Sequence, residues 1–157
     1  MKLRRGFTLI ELLVTLAIVA VLALFTVPVA EVAVQRASEA ELRRALREIR
    51  DAIDAYKTAG DEGRILRTVQ TSGYPKNLAV LVDGVEDVKD PKKAKIYFLR
   101  RIPRNPLDAS QAEDPADTWG KRAYASEPSD PQEGDDVYDV FAPSGATGLN
   151  GVPYRKW

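Results

Sequence analysis

The sequence predicts an α+β chain: one long N-terminal helix, followed by a small antiparallel sheet that packs on the second half of that helix. Three observations predict it. The run from Phe7 to Ala30 is apolar, with Glu11 as its only ionisable side chain. Apolar residues then recur at Leu42, Leu46, Ile49, Ile53 and Tyr56, alternately four and three apart, which is the stripe of an amphipathic helix. Much later, the alternating segments "KRAYAS" and "DVYDVFA" flank the polar loop "EPSDPQEGD", the pattern of an antiparallel pair. At 157 residues the chain is long enough for one compact domain and an added element.

Composition removes several functions. Basic and acidic residues balance at 23 each, whereas a nucleic-acid binder usually carries a basic excess on one face, so nucleic acid is not expected as a partner. Histidine and cysteine are absent, and with them the usual zinc ligands, thiol nucleophiles and commonest general base. No glycine loop has phosphate-binding spacing. The chain is therefore not expected to be an enzyme, nor to carry a cofactor.

The first element begins with Lys2, Arg4 and Arg5 ahead of the apolar run. About twenty apolar residues span a bilayer as a helix, and the basic end stays in the cytoplasm. A cleaved secretory signal is the bland alternative, with "VPVAEVA" as its cleavage region. Against it stand a glutamate near the start of the apolar region and an amphipathic helix that follows without a break. The order "RRGFTLIELL" resembles the class III signal of type IV pilins and type II secretion pseudopilins: a basic leader ending in glycine, then Phe, an apolar stretch, and Glu fifth after the cut. The resemblance implies cleavage between Gly6 and Phe7 by a prepilin peptidase and methylation of the new amine on Phe7. Loss of the basic leader would leave a mildly acidic mature chain.

A carboxylate in a bilayer costs a few kcal/mol, so Glu11 needs a partner or a task. Phe7 and Glu11 are four apart, which sets the new ammonium on the carboxylate's side of the helix. By resemblance, Glu11 also neutralises the amine of a neighbouring subunit during assembly. Both readings stand.

From Phe7 to about Ala59 a continuous helix would be roughly 80 Å long at 1.5 Å per residue. Pro28 removes a backbone donor inside it and predicts a kink, as the pilin pattern also has. On the charged face, Glu39 with Arg43, Arg47 with Asp51 and Arg50 with Asp54 are i,i+4 pairs, read as solvated. Gly60 and "GDEG" supply the stop. Beyond it, "GYPKNLAVLV" predicts a turn and a short helix, "AKIYFLRRIP" is helix or strand, and "NPLDASQAEDPADTWG" is an exposed loop that adds little to the core.

"GYPKNLAVLV", "LRRIPRNP", "DTWGKRAYA" and "DVYDVFAPSG" resemble, in order, the landmarks of major pseudopilins. Trp119 is expected to fill the gap between sheet and helix and Gly120 to allow a turn. Major pseudopilins typically hold calcium in a C-terminal loop with aspartates, but no Asp or Glu follows Asp139 here. Calcium wants six to eight oxygens with carboxylates among them, so it is disfavoured; Asp135, Asp136 and Asn150 are its weak candidates.

The expected organisation is a leader at 1–6, a transmembrane and filament-core helix at 7–33, and an exported head at 34–157 that includes the amphipathic half of the helix. The resemblance implies a pilin-like structural subunit of the bacterial inner membrane, its N-terminus cytoplasmic and its head periplasmic. It would polymerise into the pseudopilus of type II secretion, in the periplasm or at the cell surface, and drive protein export across the outer membrane. Its partners would be further copies, the prepilin peptidase, an inner-membrane assembly platform and minor pseudopilins. A type IV pilus or DNA-uptake subunit, or a membrane-tethered monomeric binding domain, is the alternative.

Overall fold

The structure, a computed structural model, describes residues 6–67 and 71–157, and the side chains of all of these except 24–29. It has the expected α+β architecture. Helix α1 covers Leu9–Asp61, and α2 covers Ala79–Asp83. Strands β1 (Val85–Glu86) and β2 (Lys95–Ile96) form one antiparallel pair, β3 (Gly120–Arg122) and β4 (Asp139–Phe141) another. Short 3-10 turns lie at Pro115–Thr118 and Tyr154–Lys156. The chain divides into two compact units, Met1–Ala37 and Ser38–Trp157.

In the second unit the predicted stripe is the core. Leu42, Leu46, Ile49 and Ile53 are buried, with Ala45 and Ala52 between them as small residues that let other elements approach closely. Leu78 and Leu81 of the α2 region, Leu99, Trp119, Val137, Val140, Ala142 and Tyr154 complete the cluster. The ambiguous segment "AKIYFLRRIP" supplies β2 and then docks by backbone: the amides of Phe98 and Leu99 both donate to the Leu81 carbonyl, at 3.0 and 2.9 Å. The predicted antiparallel pair forms with Gly120 opposite Phe141 and Arg122 opposite Asp139.

Trp119 is buried as expected, and its indole Nε1 donates to the Pro103 carbonyl at 2.8 Å. Gly120 serves a purpose other than a turn. It lies in β3 beneath the Phe141 ring, and a Cβ there would stand 2.3 Å from ring carbons. The stop of α1 is a Schellman arrangement: Arg64 N–H donates to the Ala59 carbonyl, Gly63 N–H to that of Gly60, and Gly63 takes φ +70°.

Two features of the charged helix face depart from the solvated reading. Glu39 is buried, at 4% exposure, and accepts hydrogen bonds from the Leu149 amide at 2.7 Å and the Tyr154 hydroxyl at 2.9 Å, while Arg43 stands 3.8 Å away. Arg50 turns from Asp54 to β4: Nε donates to Asp139 at 2.7 Å, and Nη2 donates to the carbonyls of Val140 and Trp157 at 3.1 and 2.8 Å. At Arg50 tertiary partners replace the i,i+4 neighbour, whereas Glu39 keeps its pairing with Arg43 and adds tertiary donors to it. The acidic loop differs as well. Its ends are pinned by the buried pair Asn105 and Thr118, where Asn105 N–H donates to the Thr118 hydroxyl and the Asn105 amide nitrogen to the Thr118 carbonyl, both at 3.1 Å.

A further tie joins the end of α1 to β1. Arg64 Nε and Nη2 donate to one oxygen of Asp87 at 2.8 and 2.7 Å. The hydrogen bond from Arg64, helped by the Lys89 amide, holds the Asp87 carboxyl below its ordinary range. A carboxyl lowered in the folded state contributes stability above its unfolded pKa, and that contribution disappears as pH falls through the lowered value.

Ile49 is fully enclosed in this cluster. Ile49→Ala is therefore expected to cost about 2–5 kcal/mol through the cavity left behind, read as a lower midpoint in denaturant melts. A melt matching the parent would remove the stripe from the core.

Candidate processing and assembly site

In the first unit, Gly6, Phe7 and Thr8 precede the helix and α1 begins at Leu9. Phe7 is 81% exposed, and a side chain placed on Gly6 would meet nothing within 4 Å, so the peptide bond between them is open to approach. The helix start is built by two reciprocal contacts. Glu11 N–H donates to the Thr8 hydroxyl oxygen at 3.3 Å, and Thr8 N–H faces Glu11 Oε2 at 3.5 Å. Thr8 is thus the N-cap and Glu11 the third helical residue of a capping box, which satisfies amides that the first turn would otherwise leave unpaired. Glu11 also sits where the positive end of the helix favours a carboxylate. Its bond to the Thr8 amide is long and exposed, so the carboxylate is held loosely.

Around this cap the helix is apolar on all sides. Leu9, Ile10, Leu12, Leu13, Leu16, Ile18 and Val19 are all more than half exposed. Their positions cover the whole circumference, unlike the one-sided stripe of the second unit.

Residues 1–27 match the family model of the prokaryotic N-terminal methylation motif. This motif is the signal of type IV pilin-like precursors, and it implies processing by a prepilin peptidase and pilus-like assembly. No curated protein matches the chain, and no solved structure does.

Among the described residues no helix is long and apolar enough to cross a membrane. The expected span includes 24–29, whose side chains lie outside the described ones, and α1 is one helix through Pro28, without local unwinding there. The basic residues of the leader, Lys2, Arg4 and Arg5, also lie outside the described residues.

The calcium candidates are engaged separately. Asp136 accepts from the Ser72 hydroxyl and, at 2.8 Å, from the Tyr124 amide. Asn150 Oδ1 accepts from the Val152 amide in its own loop at 3.0 Å, and Asp135 is exposed. Among the described residues no group of three or more carboxylates could hold a metal ion. The closing loop is instead held to α1 by Glu39 and Arg50.

The residue missed from sequence is Thr8. Its signal was plain, since "TLIE" is the capping-box spacing of Thr and Glu directly ahead of an apolar helix. Thr8→Val keeps the shape and removes the acceptor. It is expected to cost the helix start about 0.5–2 kcal/mol, seen as faster hydrogen exchange at the amides of Ile10 to Leu13. Unchanged exchange would mean that the cap contributes nothing.

Proposed function

We propose that the chain is a structural subunit that polymerises into a helical filament, the pseudopilus of a type II secretion system. It is made as a precursor with the leader 1–6, cut between Gly6 and Phe7, and methylated on the Phe7 amine. Residues 7–33 anchor it in the bacterial inner membrane, N-terminus inward, and then form the filament core; residues 34–157 form the periplasmic head. The chain has no catalytic task. A separate ATPase and assembly platform, with minor pseudopilins, would drive growth, and the filament would push secreted proteins across the outer membrane.

One observation carries the reading: the methylation motif leads directly into a helix that exposes apolar side chains on every side, broken by one carboxylate at the fifth residue after the cleavage point. Fully burying a large aliphatic side chain stabilises by about 1.5–3 kcal/mol. A surface of this kind therefore requires a bilayer, other copies of itself, or each in turn. The order of pseudopilin-like landmarks in the head favours the secretion filament over a type IV pilus.

Glu11 serves both stages. In the single chain it completes the capping box. In the filament its loosely held carboxylate passes to the methylammonium of a neighbouring Phe7, which otherwise would enter an apolar core without countercharge.

Two measurements test this. Mass spectrometry of the purified protein is expected to find a mature N-terminus at Phe7 with one added methyl group, and Gly6→Val to retain the leader; an intact leader on the parent would refute the processing step. Glu11→Leu is expected to reach normal membrane levels with a normally folded head, yet to form no filaments, whereas Glu11→Asp keeps the charge at shorter reach and gives a reduced yield. Normal filaments from Glu11→Leu would limit the glutamate to its own helix.

A further inference from the structure

The head carries a cavity of about 1090 Å³ whose walls include Tyr74 and Tyr124. Their rings stack with centroids 5.6 Å apart and an interplanar angle of 25°. Tyr74 already faces a cation, Lys57 at 5.7 Å, and the adjoining Tyr138 faces Arg122 at 4.6 Å. Tyr124 is 60% exposed and faces no cation among the described residues. Glu127, Asp130, Asp135 and Asp136 also line this cavity. Among the described residues none of the four forms an ion pair, while Glu133, a fifth carboxylate on this wall, stands 4.0 Å from Lys121. Of the basic side chains on the wall, Arg67 is taken by Asp61, which leaves Lys76. The result is an aromatic surface on a wall where carboxylates outnumber cations, the chemistry that attracts a cation.

The same head carries an uncompensated positive feature. Between β1 and β2 the segment "DPKKAK" forms a tight turn organised by Asp90, whose carboxylate accepts from the amides of Lys92 at 2.9 Å and Ala94 at 3.3 Å. Lys93 takes the left-handed φ of 50° at its tip. Lys92 and Lys93 are exposed and form no ion pair among the described residues. The turn is pre-formed, so presenting two ammonium groups costs little further ordering.

We infer that the tyrosine-lined acidic cavity of one copy receives the Lys92–Lys93 turn of a second copy. This rests on the reading of the chain as a polymerising subunit and adds a head-to-head contact to it. Cavity and turn are made of different residues, and in a polymer the contact is used in one direction, as a heterologous one. Each added copy leaves one cavity and one turn free, and the association runs on as a filament instead of closing as a dimer.

The test uses a synthetic peptide of residues 90–96 titrated into the full chain in detergent micelles at low salt, followed by NMR. Shifts are expected at Tyr124 and across 127–136. They should vanish for the peptide with both lysines at 92 and 93 replaced by glutamine, and the affinity should fall at least about tenfold in Glu127→Gln/Asp135→Asn, as it should on going to physiological salt. No shifts with the native peptide, or equal shifts with the glutamine peptide, overturn the inference whatever the filament does. Filament yield separates the two claims: peptide binding by a chain that never forms filaments keeps the site and overturns the polymer reading. Normal filaments from Lys92→Glu/Lys93→Glu overturn the proposed contact and leave the polymer reading in place.

Discussion

The head depends on a single helical face. Strands of two and three residues cannot hold a sheet together in water, and each pair here has only two strands. The apolar strip Leu42, Leu46, Ile49 and Ile53 shares one core with α2, Trp119 and Val140 of β4, β3 is paired to β4, and β1 and β2 are tied in by backbone beside them, Val88 to Arg64 and Phe98 and Leu99 to Leu81. The sheets are consequences of the helix. Val140 of β4 and the segments that flank the strands fill the strip, and the strand backbones need only enough pairing to leave no buried polar group unmet.

Polar ties then fix where the later segments rest on that strip. Arg50 and Glu39 stand on α1 and reach partners roughly ninety or more residues further along the chain, at β4 and in the closing loop. Arg43 adds a stacking contact over the Trp157 ring at 4.3 Å. Three consecutive turns of helix thus present one carboxylate and two guanidinium groups to the last part of the chain.

The helix was legible because its signals are local and repeated: a stripe with helical spacing from Leu42 to Tyr56, and a glycine stop at Gly63. The β3–β4 pair was legible from alternation, and the signal from seven successive residues starting at Gly6. Arg50 and Glu39 were not. Each has an opposite charge four residues away, and nothing local says that tertiary partners will displace it at Arg50 and join it at Glu39. Gly120 shows the same limit in another form, since its requirement comes from the Phe141 ring on the neighbouring strand. The loop from Asn105 to Thr118 read as solvent-exposed because proline and acid dominate it, while two polar residues at its ends carry the burial. Thr8 differs from these, because its capping partner is only three residues away and the spacing alone was sufficient.

The ties from α1 to the closing segment also set the order in which the head can form. Glu39 pairs with Leu149 and Tyr154, and Arg50 with Asp139 and Trp157, so the contacts that finish the core join the ends of the unit. Loop closure on this scale is slow compared with helix formation. During synthesis, the helix would already exist while its apolar strip still lacked Val140, Ala142 and Tyr154. The subunit would then pass through an interval as a bare amphipathic helix, a species with affinity for lipid surfaces and for other chains in the same condition.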